Sequence, residues 1–171
     1  MGFLTTLLST VGLAVSAALN PPVSAPAHGV WPLRPPVVAR GFEPPIQAWS
    51  AGHRGVDLEG SMGAAVFASL GGTVTFAGDL AGRGVIVISH GDTRTTYEPV
   101  LAEVHRSDVV AAGDRIGVLE LAQSHCLPVA CLHWGWLRGE EYLDPLQLVG
   151  PPRKVRLLPV TPADAPAGTR S

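Results

Sequence analysis

Charge is scarce in this chain of 171 residues, where 12 basic residues stand against 14 acidic ones and the formal net charge is −2. The two signs are interspersed, so no electrostatic patch favours nucleic acid or an anionic membrane surface, and no nucleic-acid partner is expected. Recognition has to come from shape and local chemistry. Cysteine is nearly absent, with Cys126 and Cys131 the only pair. Long apolar runs are missing too. The N-terminal run from Met1 to Leu19 falls short of a comfortable membrane span. Between residues 53 and 148 few stretches are long enough for a helix. Gly82-x-Gly84 is a hairpin turn rather than a phosphate loop, because no helix follows it.

The ends of the chain differ from its middle. Residues 1–27 read as a signal peptide, with an apolar stretch and then Ala25-Pro26-Ala27, a small-x-small site before His28. Val15-Ser16-Ala17 is an earlier option for cleavage, and no Lys or Arg precedes Arg34, so an uncleaved anchor is the alternative. The expected location is secreted or cell-envelope associated. Residues 28–52 are rich in proline, which disfavours helix, but Trp31, Leu33, Val37, Val38, Phe42 and Trp49 supply apolar bulk for packing on the domain. Residues 149–171 mix Pro, Ala, Gly and Arg without periodicity and read as a flexible tail.

Residues 53–148 carry the signals of short strands. Val66-Phe67-Ala68, Gly72–Ala77, Val85–Ser89, Arg94–Tyr97 and Leu132–Leu137 are branched or alternating. Gly71-Gly72, Gly78-Asp79, Gly82-Arg83-Gly84 and Gly91-Asp92 provide the turns between them. The prediction is a single, mostly β domain: a twisted antiparallel sheet with a groove, built from hairpin-connected short strands.

Within that domain, His53-Arg54-Gly55-Val56-Asp57 and the distant Leu132-His133-Trp134-Gly135 offer two imidazoles and a carboxylate. An open zinc site takes three such ligands and keeps the fourth position for water, whose pKa drops to about 7, so the chemistry implied is hydrolysis. Taken alone, His-x-x-x-Asp is a weak motif. Residues four apart in a regular strand lie about 13 Å apart, so His53 and Asp57 can share one ion only if the chain bends at Gly55.

The ordered set His53-x-x-x-Asp57-Leu, Gly72-Thr73-Val74, Tyr97, Gly113-Asp-x-Ile-Gly117, Leu132-His133-Trp134 and Tyr142-Leu-Asp-Pro145 resembles the lysostaphin-type zinc endopeptidases, in the manner of an actinobacterial, LytM-like branch. The resemblance covers residues 53–148. It implies zinc held by His53, Asp57 and His133, and cleavage of peptide bonds in bacterial peptidoglycan. The sequence departs from the family at two positions. Cys131 stands where the first histidine of His-x-His is usual, and Pro99 stands where a second histidine follows the tyrosine. Proline has no ionisable group, and assistance from such histidines is typically worth about 10²- to 10⁴-fold.

His125, eight residues before His133, is the nearest replacement in sequence, with a surface or hydrogen-bonding histidine as its alternative. Tyr97 is a candidate donor to a tetrahedral oxyanion. Glu98 reads as a base or as an exposed strand-end carboxylate. Cys126 and Cys131 read as a disulfide in an oxidising compartment, which would fix His125 relative to His133 and contribute about 2 kcal/mol by loop closure. Metal binding through Cys131 and His133, with Cys126 as a further ligand, is the competing assignment. The expectation is an exported, monomeric zinc metalloendopeptidase acting on peptidoglycan peptides. Its rivals are a cell-wall-binding or regulatory module partnered with a cell-wall hydrolase, and a structural-zinc domain closed by His125 or a thiolate.

Overall fold

The computed structural model describes residues 29–47 and 49–150. The proposed signal peptide and all but two residues of the proposed tail lie outside the described residues. The described residues form eleven strands and one helical turn: β1 (Val38–Arg40), β2 (Val56–Gly60), β3 (Ala65–Phe67), β4 (Gly72–Leu80), β5 (Arg83–Ser89), β6 (Thr93–Glu98), β7 (Val100–Ala102), β8 (Val109–Val110), β9 (Arg115–Leu119), β10 (Ala130–Arg138), β11 (Glu141–Leu143) and α1 (Leu146–Val149). Every pairing is antiparallel. The larger sheet runs β1-β2-β10-β6-β5-β4-β8, with β11 on β10, and the smaller runs β3-β9-β7. The mostly β, antiparallel, single-domain class read from the sequence is the one observed.

Turn chemistry sets the hairpins. At the β4–β5 corner, Leu80 pairs with Arg83 across Ala81 and Gly82, both at positive φ (55° and 82°), as a two-residue hairpin of matching twist requires. The Asp79 carboxylate accepts the Gly82 N–H at 2.8 Å and ties the turn. The consequence for function is the placement of Arg83 at the first position of β5.

Alternation along the strands sorts side chains between a core and an outer face. Val56 and Leu58 of β2, Ile86 and Ile88 of β5, Tyr97 of β6, and Leu132 and Trp134 of β10 are fully buried. They join Val66, Val100, Ile116 and Leu119 of the smaller sheet in one cluster, so the core lies between the two sheets. The proline-rich extension is split in its behaviour. Leu33 is buried, Phe42 packs against the cluster, and Trp31 sits over Trp134 with ring centroids 6.2 Å apart. Trp49, Val37 and Val38, expected to pack, are exposed instead. The sequence reading missed that Val38–Arg40 pairs with β2, because proline content masked a three-residue strand.

Candidate metal centre

The strand register brings the site together. Asp57 of β2, His133 of β10 and Glu98 of β6 are directly opposite one another, in one row across three neighbouring strands. Asp57 and His133 are 76 positions apart in sequence, so the sheet supplies proximity that the chain order conceals. His53 enters from just before β2, fixed by a two-way backbone bridge to Glu43. The chain bends at Gly55, so His53 and Asp57 meet despite their spacing, with Nε2 3.1 Å from Oδ2. Glycine is required there for a second reason. A Cβ on residue 55 would lie 2.7 Å from His133 Nε2 and 2.6 Å from the Trp134 carbonyl oxygen, well inside ordinary contact.

Three donor atoms converge. His133 Nδ1 is 2.8 Å from Asp57 Oδ1 and 3.2 Å from His53 Nε2. Zinc bonds of about 2.0–2.1 Å in a tetrahedron place neighbouring donors roughly 3.3 Å apart, so the spacing suits such an ion. The hydrogen bonding suits it as well. His53 Nδ1 donates to the Gly41 carbonyl at 2.6 Å, which leaves the lone pair of a neutral ring on Nε2, facing a carboxylate oxygen. Two lone-pair carriers at that distance need a cation between them, either a proton or a metal. His53 and Asp57 are almost wholly buried, and His133 is 13% exposed. Burial opposes ionisation of Asp57 most strongly. The hydrogen bond from His133 and the charges of His133, His53 and His125 together outweigh it and hold the carboxyl below its ordinary range.

His125 completes the group. Its Nδ1 is 3.3 Å from Asp57 Oδ1, and among the described residues the ligand atoms of His53, Asp57, His125 and His133 all lie within 4.8 Å of one another. Its side chain is 34% exposed, the most open of the four. Burial lowers its pKa, with the Asp57 charge opposing. His125 is delivered by a loop that Cys126 and Cys131 close as a disulfide. On its far side, His125 Nε2 faces Arg83 Nη1 at 3.5 Å, and the same guanidinium nitrogen donates to Glu98 Oε1 at 2.8 Å. Glu98 is therefore an ion-paired, partly buried neighbour of His133, not a free strand-end carboxylate. Sequence reasoning missed Arg83; the one available signal was its place beside a turn glycine.

Tyr97 does not reach the site, which corrects its assignment as an oxyanion donor. Its neighbour Glu98 takes the outer face, so alternation turns Tyr97 into the core, where it is fully buried opposite Trp134. There it belongs to a closed relay. The Ser69 N–H donates to the Tyr97 hydroxyl at 2.8 Å, and Tyr97 and Thr95 hydroxyls share a 2.9 Å bond. Thr95 Oγ1 lies 2.8 Å from His90 Nε2, and His90 Nδ1 donates to the Gly71 carbonyl at 2.9 Å. Since Nδ1 carries the proton, Nε2 accepts from Thr95, and Tyr97 in turn donates to Thr95. Trp134 and Trp136, two apart on β10, share a face. Trp134 is fully buried and Trp136 packs against the core, so neither borders the cluster. Arg54 donates to the Ser50 carbonyl and lies over the Tyr142 ring. A cavity of about 770 Å³ is lined by Trp31, Val38, Leu146 and Val149 among others and by none of the four cluster residues.

An uncharacterized protein of Mycobacterium tuberculosis is 46% identical over 137 residues, which cover 74% of this chain and 55% of that protein. The chain thus spans about half the length of the curated relatives it matches. Among solved structures, the catalytic domain of the antimicrobial peptidase lysostaphin from Staphylococcus simulans superposes with a TM-score of 0.56 at 23% identity, over 66% of this chain and 90% of that one. A zinc-containing peptidase from Vibrio cholerae gives 0.57 at 20%, over 68% and 38%. These likenesses establish a shared fold. The model of Peptidase family M23 matches residues 51–145, the stretch that holds all four cluster side chains, and the chain belongs to that family.

Proposed function

We propose that the chain is an exported zinc endopeptidase that hydrolyses peptide bonds of bacterial peptidoglycan. The observation that carries this reading is the convergence of His53 Nε2, Asp57 and His133 Nδ1 at 2.8–3.2 Å, with His125 at the open side. Zinc, when bound, polarises a carbonyl and lowers the pKa of water. His53 Nε2, the Asp57 carboxylate and His133 Nδ1 would hold it. The buried bond from His53 to the Gly41 carbonyl fixes the ring in the tautomer that presents Nε2. His125 turns Nδ1 toward the cluster and is the atom at which a proton would be exchanged with the reacting groups. That assignment gives His125 the part left open by Cys131 and Pro99. Membership of a peptidase family, and the likeness to lysostaphin, support peptide hydrolysis; the disulfide supports export to an oxidising compartment.

The test is zinc stoichiometry together with release of new amino termini from purified peptidoglycan, for the wild type, Asp57→Ala and His125→Ala. One zinc per chain is expected. Asp57→Ala should lose both zinc and cleavage. His125→Ala, assayed at saturating zinc, should turn over about 10²- to 10⁴-fold more slowly. Stoichiometric zinc with no cleavage, by a protein that sediments with cell wall, would replace the enzyme by a binding or regulatory module.

A further inference from the structure

The four side chains of the cluster are held in two different ways. Asp57 and His133 project from neighbouring strands, and His53 is pinned by its bridge to Glu43 and its bond to Gly41. His125 has no such support. It lies between β9 and β10, in a segment whose Leu127 and Val129 side chains are largely exposed. Two features frame that segment at its base. One is Ser124, buried, whose Oγ accepts the backbone N–H groups of Cys126 at 3.2 Å and Cys131 at 2.8 Å and donates to the Val129 carbonyl at 2.9 Å. The other is the Cys126–Cys131 disulfide.

The disulfide's two ends are informative. Cys126 directly follows His125. Cys131 precedes His133 by two positions on β10, so both project from the same face of the strand. The bond therefore anchors the residue beside His125 to the metal-facing side of the central strand. Cys131 is 1% exposed, whereas Cys126 is partly open to solvent. A reductant can reach the bond from the loop side without entering the core.

We propose that the disulfide-closed loop Ser124–Cys131 is a redox-sensitive clamp that positions His125 against the Asp57 corner of the metal site. The clamp rests on the metal-site reading above and adds its regulation. A dithiol reductant opens it. The S–S bond breaks as two electrons and two protons pass to the sulfurs, Cys126 and Cys131 become thiols, and the dithiol closes to its own disulfide. The oxidised loop keeps four side chains at the site, and the reduced loop leaves three. Cys126 and Cys131 are positioning residues in this scheme, and His125 is the group they position.

Zinc affinity tests the clamp without any cleavage assay, and alanine variants avoid the free thiols that would themselves bind zinc. Affinity is read by competition with a chromophoric chelator for the wild type, His125→Ala, Cys126→Ala/Cys131→Ala and the triple variant. Partners that orient metal ligands are typically worth about 10- to 100-fold in affinity, so His125→Ala should fall by about that factor. The cysteine pair should fall by the same factor, and the triple variant should fall no further, because the disulfide acts only through His125. Wild-type affinity in the cysteine variant overturns the clamp, as do losses that multiply in the triple variant. If the cysteine variant does not fold, Ser124→Ala takes its place in the same cycle, with a loss shared with His125→Ala supporting the clamp and a multiplied loss overturning it. A cycle that behaves as expected, in a protein that releases no amino termini from peptidoglycan, leaves the clamp standing and removes the endopeptidase reading.

Discussion

Gly55→Ala asks whether the missing side chain at the bend is what lets His133 reach its place. A Cβ there would sit 2.7 Å from His133 Nε2, 2.8 Å from its Cε1 and 2.6 Å from the Trp134 carbonyl oxygen, where ordinary contact begins near 3.4 Å. The carbonyl belongs to β10, held between β2 and β6, and cannot retreat without breaking the sheet. The imidazole must yield instead. Its Nδ1 is only 2.8 Å from Asp57 and 3.2 Å from His53, so a displacement comparable to the overlap takes one of three donors off its position. Overpacking of this kind costs about 1–3 kcal/mol of stability. A similar free energy lost from metal binding corresponds to roughly 10- to 100-fold in zinc affinity, at about 1.4 kcal/mol per factor of ten. Chelator competition gives the affinity, and thermal unfolding without metal gives the stability. A variant that binds zinc within about twofold of the wild type and unfolds at the same temperature would refute the argument, since one or the other quantity has to register the clash.

Tyr97→Phe should leave metal binding and hydrolysis unchanged but cost about 1–3 kcal/mol in denaturant unfolding, because the buried Ser69 N–H and the Thr95 hydroxyl lose their partner. Slowed hydrolysis at full stability would restore Tyr97 to the catalytic site. For His90, burial lowers the pKa and the Gly71 hydrogen bond opposes it, so the unfolded chain binds the proton more readily than the fold does. Stability should therefore fall as pH drops through the unfolded imidazole value near 6.5, and His90→Gln should flatten part of that slope. An unchanged slope between pH 7.5 and 5.5, by chemical unfolding, would show that His90 is not its source. Zinc at about 100 times its dissociation constant should add roughly 2.7 kcal/mol to wild-type stability and nothing to Asp57→Ala. Equal stabilisation of both proteins would place the ion elsewhere.

The strands were legible because glycine punctuates them. Gly82, Gly91 and Gly113 each adopt positive φ at or near a turn that the sequence marks, and the runs of Val and Ile between them became the central strands. The candidate ligands His53, Asp57 and His133 were legible as residue types in order, but their proximity was not. It depends on β2 and β10 being neighbours in a register that pairs Asp57 with His133. Short edges escaped notice for a related reason. Val38–Arg40 and Val109–Val110 are strands only because a partner is present, since their own composition is weak. The Tyr97 assignment failed through one binary choice, whereas Glu98 takes the outer face and differs from the strand-end reading by its ion pair with Arg83. Alternation makes one of two adjacent residues core and the other surface, and Trp134, rather than any local signal, decides which.

That division also separates what the two parts of the site can do. The Asp57–His133–Glu98 row is built on β10, flanked on both sides and backed by Leu132 and Trp134 in the core, so its residues move only if the sheet opens. The His125 loop is exposed along most of its length and can open locally, at a free energy well below that of global unfolding. The placement of His53, Asp57 and His133 should thus follow the stability of the whole domain, while the share of metal affinity that His125 adds follows the integrity of the loop. Cys131 and Pro99 occupy positions that the resembled family gives to histidine, and the function proposed above passes the acid-base role to His125 on a tether. A group on a strand is fixed for as long as the protein is folded. A group on a disulfide-closed loop is fixed for as long as the loop is closed, which makes its presence at the metal a variable that chemistry outside the domain can set.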